Sequence, residues 1–244
     1  MENEERAQHR LIAKGFALEA DGDFGAQSYA ALMSFVGDKT TVSLLRLELG
    51  RAAARHFPGA GIDTALRVAH ALAQQSVETG GFSRLVESLN YSVAGLKGTF
   101  SRSRISAADC ERLGRKPGEA ALSIARQQEI ANIVYGGSFG KEQLGNNAKG
   151  DGARFVGRGA KQTTGRSNYA EVKKLTGIDV VANPALLEDP DLGMRAASIF
   201  WTNRQCNEFA DNDDIKGLTK RINGGDNGLD DRKAALLRAK MILL

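Results

Sequence analysis

The chain has 244 residues, of which 42% are hydrophobic and 25% charged, enough to bury one good-sized domain with an appendage or two modest domains. This excludes a disordered tail or a collagen-like repeat. With no run near ~20 uninterrupted apolar residues and a mean hydropathy of −0.31, stable membrane insertion is not expected. The net charge of +4 divides into −3 over residues 1–37 and +7 over residues 38–244, and a basic main domain suits a polyanion such as nucleic acid, lipopolysaccharide or an acidic cell wall.

The start, Met1-Glu2-Asn3-Glu4-Glu5, is acidic and has neither the basic region nor the apolar region of a secretory signal, so synthesis in the cytoplasm is expected. Residues 4–14 read as a short helix closed by Gly15. After the turn Asp21-Gly22-Asp23-Phe24-Gly25, Tyr29, Leu32, Met33 and Val36 lie at helical spacing up to Gly37. Thirty-seven residues bury too little to fold well alone, so this piece is expected to lean on the rest of the chain. Asp21-x-Asp23 lacks the rest of a calcium loop and reads as a turn.

A helix is predicted from Thr41 to about His56, and another from an Asp63 or Thr64 cap to Gly80-Gly81. Ser106 with Asp109 forms a capping box for a short helix to Gly114, and residues 119–135 read as a helix halted at Gly136-Gly137. Residues 136–168 carry nine glycines and no periodicity, and read as one long loop of the kind that is usually functional. Helical patterns return at 168–176, 191–205, 213–222 and 230–243. Only residues 153–163 could hold a short hairpin, so the chain is mainly α. Residues 97–116 concentrate charge, with Lys97, Arg102, Arg104, Arg112, Arg115 and Lys116 against Asp109 and Glu111. Cys110 and Cys206 form neither a disulfide framework nor a metal cluster, and His9, His56 and His70 show no metal-site spacing, so a zinc enzyme is not expected.

Glu78 falls in the last turn of its helix, where the partial negative charge of the helix end disfavours an ionised carboxylate and favours the protonated form that a general acid needs. Glu87, nine residues on, would face the opposite way on a continuous helix. Gly80-Gly81 breaks that helix and allows Glu87 to turn back opposite Glu78. Two opposed carboxylates are the machinery of glycoside hydrolysis. Taken alone, the pair also fits two surface glutamates. The run Gly157-Arg158-Gly159-Ala160-Lys161-Gln162-Thr163-Thr164-Gly165 begins like a phosphate-binding loop from Gly152. It has Arg158-Gly159 where Lys-Ser/Thr is required and no preceding strand, so that reading fails. Its hydroxyls and amide instead suit a held water or sugar. Asn223 to Gly228 supplies a second polar turn, with Arg232 entering the last helix.

These residues carry a resemblance. Ala73-Gln74-x-x-x-Glu78-Thr79-Gly80-Gly81-Phe82, followed by Glu87-x-Leu89-Asn90-Tyr91-Ser92, resembles the catalytic helix of glycoside hydrolase family 19, and most of all its chitinase-like bacteriophage endolysins. The pattern continues through Gly157-Arg158-Gly159-x-x-Gln162-x-Thr164-Gly165-Arg166-x-Asn168-Tyr169 and Asn183-Pro184-x-Leu186-Leu187. It ends in Asn223-Gly224-Gly225-x-Asn227-Gly228-Leu229-x-Asp231-Arg232, and so spans about residues 40–240.

The resemblance implies a lysozyme-like fold of two mostly helical lobes around a cleft, with no cofactor or metal. Glu78 matches the general acid, Glu87 the general base that activates water, and Thr164 the hydroxyl that helps hold that water. Gln162, Asn168, Tyr169 and Asn223 match sugar-binding positions, and Arg232 matches an arginine that tunes the acidic pair. The family inverts the anomeric carbon, which needs room for a water between carboxyls ~6.5–9.5 Å apart. This chain departs from the family pattern at Val77, where histidine is usual, and at Lys161 and Thr163, where apolar residues are common.

Residues 1–37, with Phe16, Asp21 and Phe24, resemble a shortened helical peptidoglycan-binding module, which leaves residues 38–244 as the hydrolase domain. The expectation is a monomeric endolysin that cuts peptidoglycan glycan strands and binds no nucleic acid. It would wait in the host cytoplasm and reach the wall and periplasm when a holin opens the inner membrane. The alternatives are a bacterial chitinase and a non-catalytic wall-binding structural protein.

Overall fold

The structure is a computed structural model that describes residues 4–244; Met1–Asn3, the first part of the acidic start, lie outside the described residues. In chain order the helices are α1 (Glu4–Ala13), α2 (Ala26–Val36), α3 (Leu44–His56), α4 (Ala65–Glu78), α5 (Val93–Thr99), α6 (Ala107–Leu113) and α7 (Ile124–Val134). They continue as α8 (Gly137–Leu144), α9 (Asp151–Arg154), α10 (Arg166–Thr176), α11 (Pro190–Asn203), α12 (Cys206–Asp211), α13 (Ile215–Asn223) and α14 (Leu229–Leu243). Among the described residues, β pairing is limited to isolated bridges, including Arg158 with Thr163 inside the segment expected to hold a hairpin. The fold is mainly helical, as the sequence implies. Among the described residues, no helix is long and apolar enough to cross a membrane.

The chain divides into two compact units. The first takes the chain up to Leu85, then Gly159–Gln162 and Leu186–Leu244. Its core joins Leu32, Met33, Leu49, Phe57, Leu72 and Phe82 to Met194, Trp201, Leu236 and Ile242. Helix α2 packs on α3, and α4 on α14. Leu11, Phe16, Phe24 and Tyr29 from the N-terminal segment belong to this same core. Backbone ties reinforce the packing: Arg10 donates to the Ile242 carbonyl at 2.8 Å, and Arg238 to the Val36 carbonyl at 2.8 Å. Phe16 and Phe24, expected as wall-binding residues, are each only 5% exposed, so they hold the segment together and do not present a binding face. Asp21 is exposed and accepts from the Gln8 amide at 2.8 Å, which holds its carboxyl below the ordinary carboxylate value.

The second unit comprises Val86–Arg158 and Thr163–Ala185. Leu89, Leu96, Phe100, Ile105, Leu113, Ile130, Val134 and Val156 form its core. The expected capping box is present, since Ser106 Oγ accepts from the Asp109 amide at 2.9 Å and donates to its carboxylate at 2.7 Å.

The segment 136–168 is not the single long loop expected, because its glycines gather at helix ends. Gly136 precedes α8, Gly145 closes it and Gly150 precedes α9. The basic run 97–116 is also largely engaged. Lys97 pairs with Glu111 and Arg112 with Asp109 and Glu129, while Arg102 donates to the carbonyls of Leu96, Lys97 and Phe100. These contacts tie the second unit together.

Candidate active site

Helix α4 begins at Thr64, whose side chain accepts from the Arg67 amide, and its last residue is Glu78. Thr79, fully buried, then terminates it: its hydroxyl donates to the Gln75 carbonyl at 2.7 Å and accepts from the Phe82 amide at 2.9 Å. The next three residues, Gly80, Gly81 and Phe82, all have positive φ. A left-handed run of this kind reverses the chain directly after the carboxylate. At Gly81 (φ +72°) an added Cβ would lie 2.7 Å from the Gly37 carbonyl, so only glycine lets the turn rest against the end of α2.

Glu78 carries a half-buried carboxylate against a buried cation. Arg232, 3% exposed on the first turn of α14, donates to Glu78 Oε1 at 2.5 Å. The guanidinium is itself fixed by the Gln74 carbonyl at 3.1 Å and the Gln74 side-chain oxygen at 2.6 Å. Gln74 sits four residues before Glu78, one turn along the same helix face. The charge environment of Glu78 is therefore set by Arg232 as well as by the helix end.

Gln162, also in the first unit, has φ +54°, uncommon for a residue with a side chain, and its amide donates to the Gly159 carbonyl at 3.1 Å. Asn223 is exposed at the C-terminal end of α13.

Glu87 belongs to the second unit. Its backbone amide donates to the Gly157 carbonyl at 2.9 Å, and the Gly157 amide returns a bond to Glu87 Oε1 at 2.5 Å. The other oxygen, Oε2, accepts from the Tyr135 hydroxyl at 2.6 Å. Each carboxylate oxygen thus has its own donor, an arrangement that orients a charged acceptor. Burial pushes the Tyr135 phenol well up from its ordinary value and the Glu87 charge adds to it, so the hydroxyl stays a donor. Beside Glu87 lies a groove of about 200 Å³, with an apolar floor that includes Leu89, Ala131 and Val156 and a rim bearing Gln127, Gln128 and Arg158.

Thr164 is half-buried, and its carbonyl accepts from the Asn168 amide at 2.7 Å. Tyr169 departs from expectation. It is fully buried against Phe155, its hydroxyl donates to the Val156 carbonyl at 2.7 Å, and it accepts from Arg158 at 3.2 Å. It supports the loop from beneath and does not face a sugar. Beneath the same loop, Arg166 grips both oxygens of buried Asp151 at 2.5 and 2.8 Å, which holds that carboxyl below its ordinary value.

Sequence reasoning gave Gln74, Tyr135 and Gly157 no role in the site. Gln74 was detectable from its i, i+4 spacing to Glu78; no local signal connects Tyr135 to a glutamate 48 residues away. Among the described residues, no cluster of histidine, cysteine and carboxylate side chains could hold a metal ion.

No protein-family model matches the chain. It is similar to the glycosyl hydrolase family 19 domain-containing protein of Haemophilus influenzae, with 36% identity over 183 residues, 75% of this chain and 82% of that protein. It is also similar to the acidic 27 kDa endochitinase of Solanum lycopersicum, 31% identical over 117 residues, 41% of this chain and 47% of the relative. Among solved structures, chitinase C from Streptomyces griseus superposes with a TM-score of 0.53 at 18% identity, covering 88% of this chain and 75% of that one. A bacterial family 19 chitinase gives 0.51 at 17%, covering 88% and 93%. The structural likenesses show a shared fold, and the Haemophilus relative carries the likeness across three-quarters of the chain at family-level identity. The chain belongs to glycosyl hydrolase family 19.

Proposed function

We propose that this glycoside hydrolase is a bacteriophage endolysin that cleaves β-1,4 bonds of the peptidoglycan glycan strand with inversion, and so lyses the host cell. The observation that carries the reading is the difference between the settings of its two carboxylates. Glu78 has one oxygen against the Arg232 guanidinium, whereas both oxygens of Glu87 accept hydrogen bonds. Paired carboxylates in unlike settings divide into an acid and a base, and the acid role is given to Glu78 by its place in the family motif.

In this mechanism Glu78 protonates the leaving glycosidic oxygen from its other oxygen, and Arg232 stabilises the carboxylate left behind. Glu87 takes a proton from a water that attacks the anomeric carbon on the opposite face, with the Thr164 hydroxyl helping to hold that water. The bond to the leaving sugar breaks as the bond to water forms, and solvent then returns the two carboxyls to their starting protonation. Gln162, Asn168 and Asn223 bind sugar, and the groove beside Glu87 takes part of the chain. Residues 38–244 form the hydrolase domain. Residues 1–37 contribute wall binding through polar groups around Asp21, where a groove of about 640 Å³ is lined by Gln8, Glu19, Asp23 and Gln27. The enzyme acts as a monomer, and a holin admits it to the wall.

The test is digestion of purified peptidoglycan and of chitin by wild type, Glu78→Gln and Glu87→Gln, with new reducing ends identified by mass spectrometry after borohydride reduction. Each variant is expected to lose roughly 10²–10⁴-fold in rate while still binding the wall. Reduced N-acetylmuramic acid ends identify a muramidase and reduced N-acetylglucosamine ends a glucosaminidase. Cleavage of chitin alone supports the chitinase reading that the tomato relative favours. Wild-type rates in Glu78→Gln would sink the assignment of the acid.

A further inference from the structure

We infer that Tyr135 is the positioning residue for Glu87, and that Arg104, stacked among aromatic rings, holds Tyr135 in place for that task. The inference rests on the reading of Glu87 as the base. Tyr135 follows α7 directly, where its backbone carbonyl accepts from the buried Asn146 amide at 2.9 Å. Its ring meets Phe100 edge-on at 6.4 Å. The Arg104 guanidinium lies 5.4 Å from the Tyr135 ring centre, 5.0 Å from that of Phe100 and 4.0 Å from that of Phe139, and its Nε donates to the Val134 carbonyl at 2.9 Å.

Backbone, ring and cation therefore fix the phenol from three sides, and the hydroxyl emerges 2.6 Å from Glu87 Oε2. A base that must take a proton from a water is useful only while its lone pairs point at that water. The Gly157 amide holds Oε1, but a single anchor would leave the carboxylate free to rotate about its last bond. Tyr135 supplies the second anchor. The Arg104 charge also favours negative character on the phenol oxygen, which strengthens the hydroxyl as a donor. The groups facing Glu87 are the Tyr135 hydroxyl and the Gly157 amide, with Arg158 lining the same groove, the Arg104 charge acting on both Tyr135 and Glu87, and Tyr91 acting on Tyr135.

The experiment measures kcat, KM and the pH profile of kcat/KM for wild type, Tyr135→Phe, Arg104→Met and the double variant on the soluble glycan fragments that the wild type cleaves, with Glu87→Gln as control. Tyr135→Phe keeps the ring and removes only the donor. It is expected to lower kcat about tenfold or more, because hydrogen bonds to charged groups are worth that much, while KM stays within about twofold. The acid-side limb of its profile should move to higher pH, since a carboxylate deprived of a donor holds its proton more tightly. Arg104→Met should show the same signature more weakly, and its effect on kcat should shrink in the Tyr135→Phe background, where only its direct charge effect on Glu87 is left.

If Tyr135→Phe melts at lower temperature but keeps wild-type kcat and profile, the tyrosine is only structural and the inference is wrong. If that variant fails to fold, Arg104→Met decides the matter, its unchanged profile counting against the inference and a shifted one for it. Full activity in Glu87→Gln would overturn the base assignment itself. An inactive Glu87→Gln beside a normal Tyr135→Phe overturns the positioning role alone.

Discussion

Tyr169 separates what a motif specifies from what a side chain does. It sits one residue after Asn168 in a sugar-binding pattern, yet its ring is buried and its hydroxyl is spent on the Val156 carbonyl. Tyr169→Phe should therefore cost about 1 kcal/mol of stability, the typical net worth of one hydrogen bond, with KM for glycan unchanged. Denaturant unfolding and steady-state kinetics on one preparation check this, and a raised KM at unchanged stability would return Tyr169 to the binding surface. The helix end at Glu78 and the turn after it were legible because the residues that set them, two glycines among them, are near neighbours in the chain. The partners of Glu78 and Glu87 were only partly legible. Arg232 was implied by the family pattern and is found on Glu78, whereas Tyr135 had no pattern to announce it.

At the scale of elements, caps predicted best. Thr64, Ser106 and the Gly80-Gly81 stop are where the side-chain chemistry places them. The helix expected over 119–135 begins only at Ile124, capped by Ser123. Residue Glu119 instead turns back, its carboxylate accepting from the Lys116 amide at 2.7 Å and from Arg126 at 2.8 Å. Helices α5, α8, α9 and α12 escaped detection because none exceeds eight residues, too few for a periodic apolar face to show. The turn after Glu78 makes a sharp prediction. Gly81→Ala combines a left-handed φ with a contact on the Gly37 carbonyl, and should destabilise the protein by at least about 2 kcal/mol. Thermal melting measures the loss. An unchanged melting temperature would mean that α2 and the turn do not need their close approach.

For the molecule as a whole, stability should fall in acid, and the sign comes from groups that bind protons less readily in the folded chain than in the unfolded one. His70 is fully buried on α4; burial lowers its tendency to protonate, and its bond to Asp213 only partly offsets this. The folded state therefore binds this proton less readily than the unfolded chain, and stability declines as pH falls below about 6.5, where an unfolded histidine charges. For Asp213, burial pushes the carboxyl up, but Lys240 and His70 outweigh it and hold it below the ordinary value, as Arg166 does for Asp151. Those contributions are present above about pH 4 and are lost as pH falls through the lowered values. Melting temperature should accordingly drop in two steps on acidification, and His70→Gln should remove the first. A single step near pH 4 in wild type would show that His70 takes no part.

Caps, stops, apolar spacing and the order of the motif residues depend on atoms a few residues apart, so the sequence by itself determined the helical class, many helix ends and the family. Which groups hold Glu78 and Glu87 was decided only by tertiary structure. Arg232 reaches Glu78 across 154 residues and Tyr135 reaches Glu87 across 48, each through the packing of helices whose neighbours no local pattern names. The same packing took Tyr169, Phe16 and Phe24 out of solvent. A residue's type sets what it can bond to, and burial decides which partner it meets.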